Sequence, residues 1–117
     1  VSALQKNDQP HKDAGIEMAF RFASPGNQET TGPIDRFKEL VHTPAYAPML
    51  GHLYAEYDEL VQVDDVAVQR VVLTTEDDER VAYVFHLSRV AEGKYSGCWM
   101  TDAVIQVPAP PQPGFRL

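Results

Sequence analysis

Lys94-Tyr95-Ser96-Gly97-Cys98-Trp99-Met100-Thr101-Asp102-Ala103-Val104-Ile105 is the stretch whose reading decides the fold. It holds the only Trp and the only Cys, follows a turn at Glu92-Gly93, and reads as the last strand of an antiparallel sheet spanning residues 97 to 107. Working back from it, Val66 to Thr75 and Val81 to Val90 form a pair of strands joined by the turn Glu76-Asp77-Asp78-Glu79-Arg80. Val81, Tyr83, Phe85 and Leu87 alternate with Ala82, Val84, His86 and Ser88, the period of two that gives a strand two faces. One face is expected to be deeply buried and the other partly covered. His52 to Val63 reads as a further strand, although its Leu, Ala and Glu content also suits a helix.

The first third of the chain has the helical period instead. Val1 to Asp8 reads as a helix tail with Ala3 and Leu4 on its buried side, stopped by Asp8-Gln9-Pro10. Ile16, Ala19, Phe20 and Ala23 share one face of a helix over Asp13 to Ala23, which Ser24-Pro25-Gly26-Asn27 ends, because a residue before proline avoids the helical region. Thr31-Gly32-Pro33 starts a third helix with Pro inside its first turn, and Ile34, Phe37, Leu40 and Val41 form the apolar stripe up to His42. The loop Thr43-Pro44-Ala45-Tyr46-Ala47-Pro48-Met49 is too apolar to lie free in water and is expected to cover part of the core. Helices first and antiparallel strands after make an α+β domain over residues 1–107. The Pro-rich tail 108–117 cannot continue a sheet and is expected to run extended, held by this domain, a second copy or another protein.

Composition excludes several function classes. The 117 residues make one domain with a single core. A formal charge of −7, from 17 acidic and 10 basic residues without a Lys/Arg cluster, argues against nucleic acid or anionic membranes as partners. No apolar run is long enough to span a membrane, and no signal peptide is present. The chain begins at Val1 rather than Met, which fits removal of an upstream targeting segment or a trimmed chain. One Cys excludes an internal disulfide, and Cys98 reads as a small core residue rather than a nucleophile. His11, His42 and His52 lack metal-site spacing, His86 falls on the sheet face opposite Tyr83, and Ser24 and Ser96 lack a nucleophile elbow. No cofactor or metal is implied.

Several stretches carry a family resemblance: Ala14-Gly15-Ile16, Ala19-Phe20-Arg21-Phe22-Ala23-Ser24-Pro25, Phe37, Tyr46-Ala47-Pro48-Met49-Leu50, Tyr83-Val84-Phe85-His86-Leu87-Ser88-Arg89 and Gly97-Cys98-Trp99-Met100-Thr101-Asp102. In this order and spacing they cover about residues 3 to 106. The chain resembles an uncharacterised plant and algal family with plastid targeting sequences, inside the nuclear-transport-factor-2-like, or cystatin-like, superfamily. The resemblance implies a cone of N-terminal helices packed on a curved, mostly antiparallel sheet, with a cavity inside, an open sheet face for dimerisation, and a plastid (chloroplast) location. It implies no activity.

Two hypotheses follow. The first is a non-catalytic protein-interaction module, an accessory or assembly component of a larger plastid complex. Its sheet face and tail, with Trp99, Pro110, Pro111 and Phe115, would contact a protein partner or a second copy. The second is a small-molecule binding protein, or an isomerase- or dehydratase-type enzyme, that uses the cavity. Such an enzyme needs a carboxylate base, for which Asp58 and Asp102 are the candidates, and hydroxyl donors from Tyr54, Tyr57 or Tyr83. Asp102 also suits a turn cap or an ion pair with Arg89. Tyr46, Met49, Leu50, Tyr54 and Tyr57 read either as lid packing over the core or as the mouth of a cavity for a small apolar ligand. The acidic run Glu76 to Glu79 reads as a solvated hairpin tip. A cavity-facing carboxylate without a neutralising partner favours the second hypothesis, and a cavity filled by Phe20, Phe37, Phe85 and Trp99 favours the first.

Overall fold

The computed structural model describes residues 1–93 and 96–109. Four helices precede the sheet: α1 (Ser2–Gln5), α2 (Ala14–Arg21), α3 (Pro25–Thr31) and α4 (Ile34–Val41). The expected apolar stripes seat α1, α2 and α4, with Leu4, Ile16 and Val41 buried against Val71, Leu73 and Tyr83 of the sheet. Helix α1 approaches α2 backbone to backbone. The Gly15 N–H donates to the Asn7 carbonyl at 2.8 Å, and the Ile16 N–H donates to Asn7 Oδ1 at 2.9 Å. A Cβ on Gly15 would collide with the Ala3 carbonyl and the Asn7 Cα.

Helix α3 is an element that the sequence reading treats as a stop. Ser24 does end the α2 segment, but it also caps the next helix. Its Oγ accepts from the Asn27 N–H at 3.3 Å, and Pro25 occupies the first helical position. Pro33 likewise stands just before α4 instead of inside its first turn. The loop after α4 behaves as expected: a short 3-10 turn, Ala47–Met49, buries Met49.

Five strands form the sheet: β1 (Tyr54–Tyr57), β2 (Val61–Val63), β3 (Val66–Thr74), β4 (Arg80–Arg89) and β5 (Trp99–Val107). Their order is β1-β3-β4-β5, every strand pair is antiparallel, and β2 pairs with β3 beyond the end of β1. The segment read as one strand over His52 to Val63 is therefore two strands, broken at Asp58-Glu59-Leu60. The β2–β3 hairpin turns on Asp64-Asp65, with Asp64 at φ 54°, a left-handed conformation that Asp tolerates in turns. Between His86 and Leu87 the β4–β5 register shifts by one, because His86 faces Ala103 while Leu87 faces Thr101. Asp102 is thus the extra residue of a β-bulge.

An α+β fold with N-terminal helices on a mostly antiparallel sheet is present, but the cone is not. The sheet is open, with β1 and β2 along one margin and β5 at the other. Strong curling requires bulges and glycine kinks repeated along the strands. Here β3, β4 and β5 contain no glycine, and the β4–β5 pair has one register shift. The last strand also differs at its start. Cys98 is exposed ahead of β5, so it is not a core residue. Trp99 is half-buried at the end of the sheet with the Arg89 guanidinium 5.3 Å from its ring centre, so it does not anchor the core. Tail residues 110–117, including Pro110, Pro111 and Phe115, lie outside the described residues.

Because the Gly15 site has no room for a methyl group, Gly15→Ala should destabilise the protein by about 1–3 kcal/mol through overpacking. Chemical denaturation checks this, and an unchanged midpoint would mean that α1 does not approach α2 as closely as described.

Candidate functional site

Two tyrosines fix the proline-braced loop to the sheet. Tyr83 projects from β4, its ring fully buried, and its hydroxyl donates to the Ala45 carbonyl at 2.6 Å. Tyr46 reaches in the opposite direction and donates to the Val104 carbonyl of β5 at 2.9 Å. Their rings stack 6.2 Å apart. Burial, with the nearby Tyr46 phenol, pushes the Tyr83 phenol up to about 12. At neutral pH Tyr83 therefore only donates its hydrogen bond, and its partner is a backbone carbonyl.

Behind this loop lies a hollow of about 1130 Å³ between the helices and the sheet. Phe85 and Val104, opposite one another in the β4–β5 register, form its floor with Thr101. Met18 and Ala19 of α2, Phe22 just after it, and Phe37, Leu40 and Val41 of α4 form its roof. Phe37 and Phe85 line this space without filling it, Phe20 packs on Phe37 with ring centres 5.0 Å apart, and Trp99 is not part of the wall.

Among the described lining residues there is no carboxylate. Asp58 lies in the β1–β2 link, where its carboxylate pairs with the Arg70 guanidinium and its backbone N–H donates to the Arg70 carbonyl at 3.0 Å. Asp102 occupies the bulge next to Thr101 but does not line the hollow. Its expected partner Arg89 pairs instead with Asp65, at 3.0 Å. Tyr54 and Tyr57, both exposed, lie on opposite faces of the edge strand β1. The structure thus does not gather the candidate base and donors into one site. Of the loop group, Tyr46 and Met49 line the hollow, while Leu50 lines a smaller, polar one beside Asn7, Asp13 and His42. There the Asn7 amide donates to Asp13 at 2.9 Å and holds its carboxyl below the usual range, aided by His42 at 3.6 Å. His52 is buried with Nδ1 2.8 Å from the Met49 carbonyl, a structural placement. Among the described residues, no group of three or more His, Cys, Asp or Glu side chains could hold a metal ion.

A second surface lies on the opposite face of the sheet. Val61 faces Val68 and Val63 faces Val66 across the β2–β3 hairpin, and their side chains point away from the helices. These four valines are 38–64% exposed, and Val84 with Ile105, which is 51% exposed, makes a further apolar pair on the same face, beyond Arg70 and His86. Outward sheet faces are ordinarily polar. The sequence carries the signal as Val at alternate positions on both arms of the hairpin. Met18 and Phe22 at the hollow's mouth have one too: they sit four residues apart, off the buried stripe of α2, and both are exposed.

A family model described as "Domain of unknown function (DUF4864)" matches residues 1–112. Neither the curated proteins nor the solved structures contain a match. No described helix is long and apolar enough to cross a membrane.

The Tyr83 contact sets a pH dependence. Its phenol is raised in the folded state from 10.0 to about 12, so its stabilising effect is complete below about pH 10 and is lost as pH rises through 12. Tyr83→Phe should cost about 1–2 kcal/mol near neutral pH, because the Ala45 carbonyl loses its donor. It should also flatten the alkaline loss of stability. Urea midpoints across the alkaline range check both, and parallel curves for the two proteins would contradict the assignment.

Proposed function

We propose that this chain, which belongs to the DUF4864 family of unknown function, is a non-catalytic protein-interaction module whose outward sheet face seats a second copy. The single observation that carries this reading is the exposed strip of Val61, Val63, Val66 and Val68, with Ile105 exposed on the same face. Twisted sheets stack face to face through such side chains. Valines lose little rotamer freedom on burial, so the cost of ordering them is small.

The charges around the strip favour a second copy of this acidic chain. Asp58 pairs with Arg70, Glu56 with Arg80 at 3.6 Å, and Asp65 with Arg89. A docking copy would therefore meet three carboxylates that already have partners, with Asp64 in the hairpin turn outside these pairs, and fewer bare charges would be desolvated. The net charge of −7 still opposes association at long range, so added salt should strengthen the dimer. The candidate acids support this reading over catalysis, because neither Asp58 nor Asp102 lines the hollow. Membership of a larger assembly is a further part of the proposal, with the dimer as its smallest unit.

Light scattering coupled to size exclusion tests the proposal. The protein should elute at twice the 13.1 kDa of one chain, more completely at higher salt. Val63→Asp and Val66→Asp, both at exposed positions, should return it to the single-chain mass with unchanged circular dichroism. A single-chain mass for the parent protein at every concentration would sink the idea, as would a dimer that survives both substitutions.

A further inference from the structure

The hollow between helices and sheet is chemically one-sided. The chain carries 17 acidic residues, yet none of the described ones lines it. Lys6, at the end of α1, is the only Lys or Arg among the described lining residues. It takes part in none of the described ion pairs. Lys6 also borders the smaller polar hollow, where the acids are already engaged: Asp8 accepts from the Asp13 N–H at 2.9 Å, and Asp13 accepts from Asn7 and faces His42.

The polar groups deeper in the wall are committed as well. The Asn27 amide donates to the Thr101 carbonyl at 3.1 Å, the Thr31 hydroxyl to the Asn27 carbonyl at 2.8 Å, and the Tyr46 hydroxyl to the Val104 carbonyl at 2.9 Å. A polar molecule placed there would lose water and gain few hydrogen bonds. An apolar one would lose nothing polar and would cover Met18, Phe22 and Phe85. The volume, about 1130 Å³, is slightly above the usual range of small-molecule sites.

We propose that this hollow binds an amphipathic monoanion, an aliphatic carboxylate whose chain lies over Phe85 between α2 and α4 and whose head meets Lys6 at the mouth. The site is independent of the outward valine face, since Phe85 and Val104 point to the helix side and Val84 and Ile105 to the other.

Isothermal titration of the whole protein with dodecanoate, and with dodecanol as the uncharged comparison, tests this. Saturable one-to-one binding of dodecanoate is expected, tighter than that of dodecanol. Lys6→Glu should weaken dodecanoate by about tenfold, the loss of one exposed charge pair plus an equal repulsion, and leave dodecanol unchanged. Phe22→Gln, at an exposed position on the wall, should weaken both probes without unfolding the protein. Absence of saturable binding by folded protein overturns the proposal. Equal affinity for the two probes, or indifference to Lys6→Glu, overturns the anion assignment. Indifference of both probes to Phe22→Gln places the binding elsewhere and overturns the site.

Discussion

Thr101 is where the helical layer is tied to the sheet by backbone hydrogen bonds. The bulge at Asp102 changes the parity of β5, so Thr101 turns both its N–H and its carbonyl to the outer margin. The link between α2 and α3 fills that margin. The Ser24 N–H donates to the Thr101 carbonyl at 2.7 Å, and the Thr101 N–H donates to the Phe22 carbonyl at 2.8 Å. Unpaired edge groups are thereby satisfied, and the start of α3 is set against the sheet. At the other end of the hollow, Tyr46 reaches the Val104 carbonyl three residues further along the same strand. Both attachments fall on β5. A helical layer fixed at its margins can stand away from the sheet in the middle, and this is how a core with Ile16, Leu73 and Tyr83 fully buried coexists with a large hollow beside it.

Legibility followed the length of the sequence signal. The β3–β4 pair and its faces could be read because ten alternating residues outweigh any local ambiguity. The stripes of α2 and α4 were equally plain. Ser24 was harder, because the serine and proline that stop one helix also begin the next, and only spatial context separates the two roles. The β1–β2 break was missed because Asp58 continues the pairing through its backbone while its side chain leaves for Arg70. The openness of the sheet was unreadable from strand patterns, since alternation reports faces and says nothing of curvature.

The candidate site was less legible than the fold, for a different physical reason. Asp58, Asp102, Tyr54 and Tyr57 were nominated by chemical type, and type does not place a side chain. A carboxylate next to an arginine across a strand pair is a neutralised structural group, whatever its intrinsic basicity. Tyr46 and Met49 line the hollow, and their nomination rested on more than type, on an apolar loop that had to cover something. Exposed apolar residues deserved more weight. Val61, Val63, Val66, Val68, Met18 and Phe22 all violate the expected polar surface in patches, and patches rather than single residues carry functional meaning.

The distribution of charge joins these observations. Acids cluster at the hairpin tip Glu76 to Glu79, along the exposed faces of the helices, and beside arginines at the sheet margins. A chain with 17 carboxylates has thus kept them out of the described wall of the hollow, and beside the valines on the other side of the same strands it pairs Glu56, Asp58 and Asp65 with arginines. Solubility alone asks for acids anywhere on the surface. Solvation does not explain their exclusion from these two places, because an exposed valine strip and an apolar wall each cost free energy in water. Occupants that remove both surfaces from water would account for that cost, and the ion pairs along the sheet margins would let one of them dock without stripping bare carboxylates.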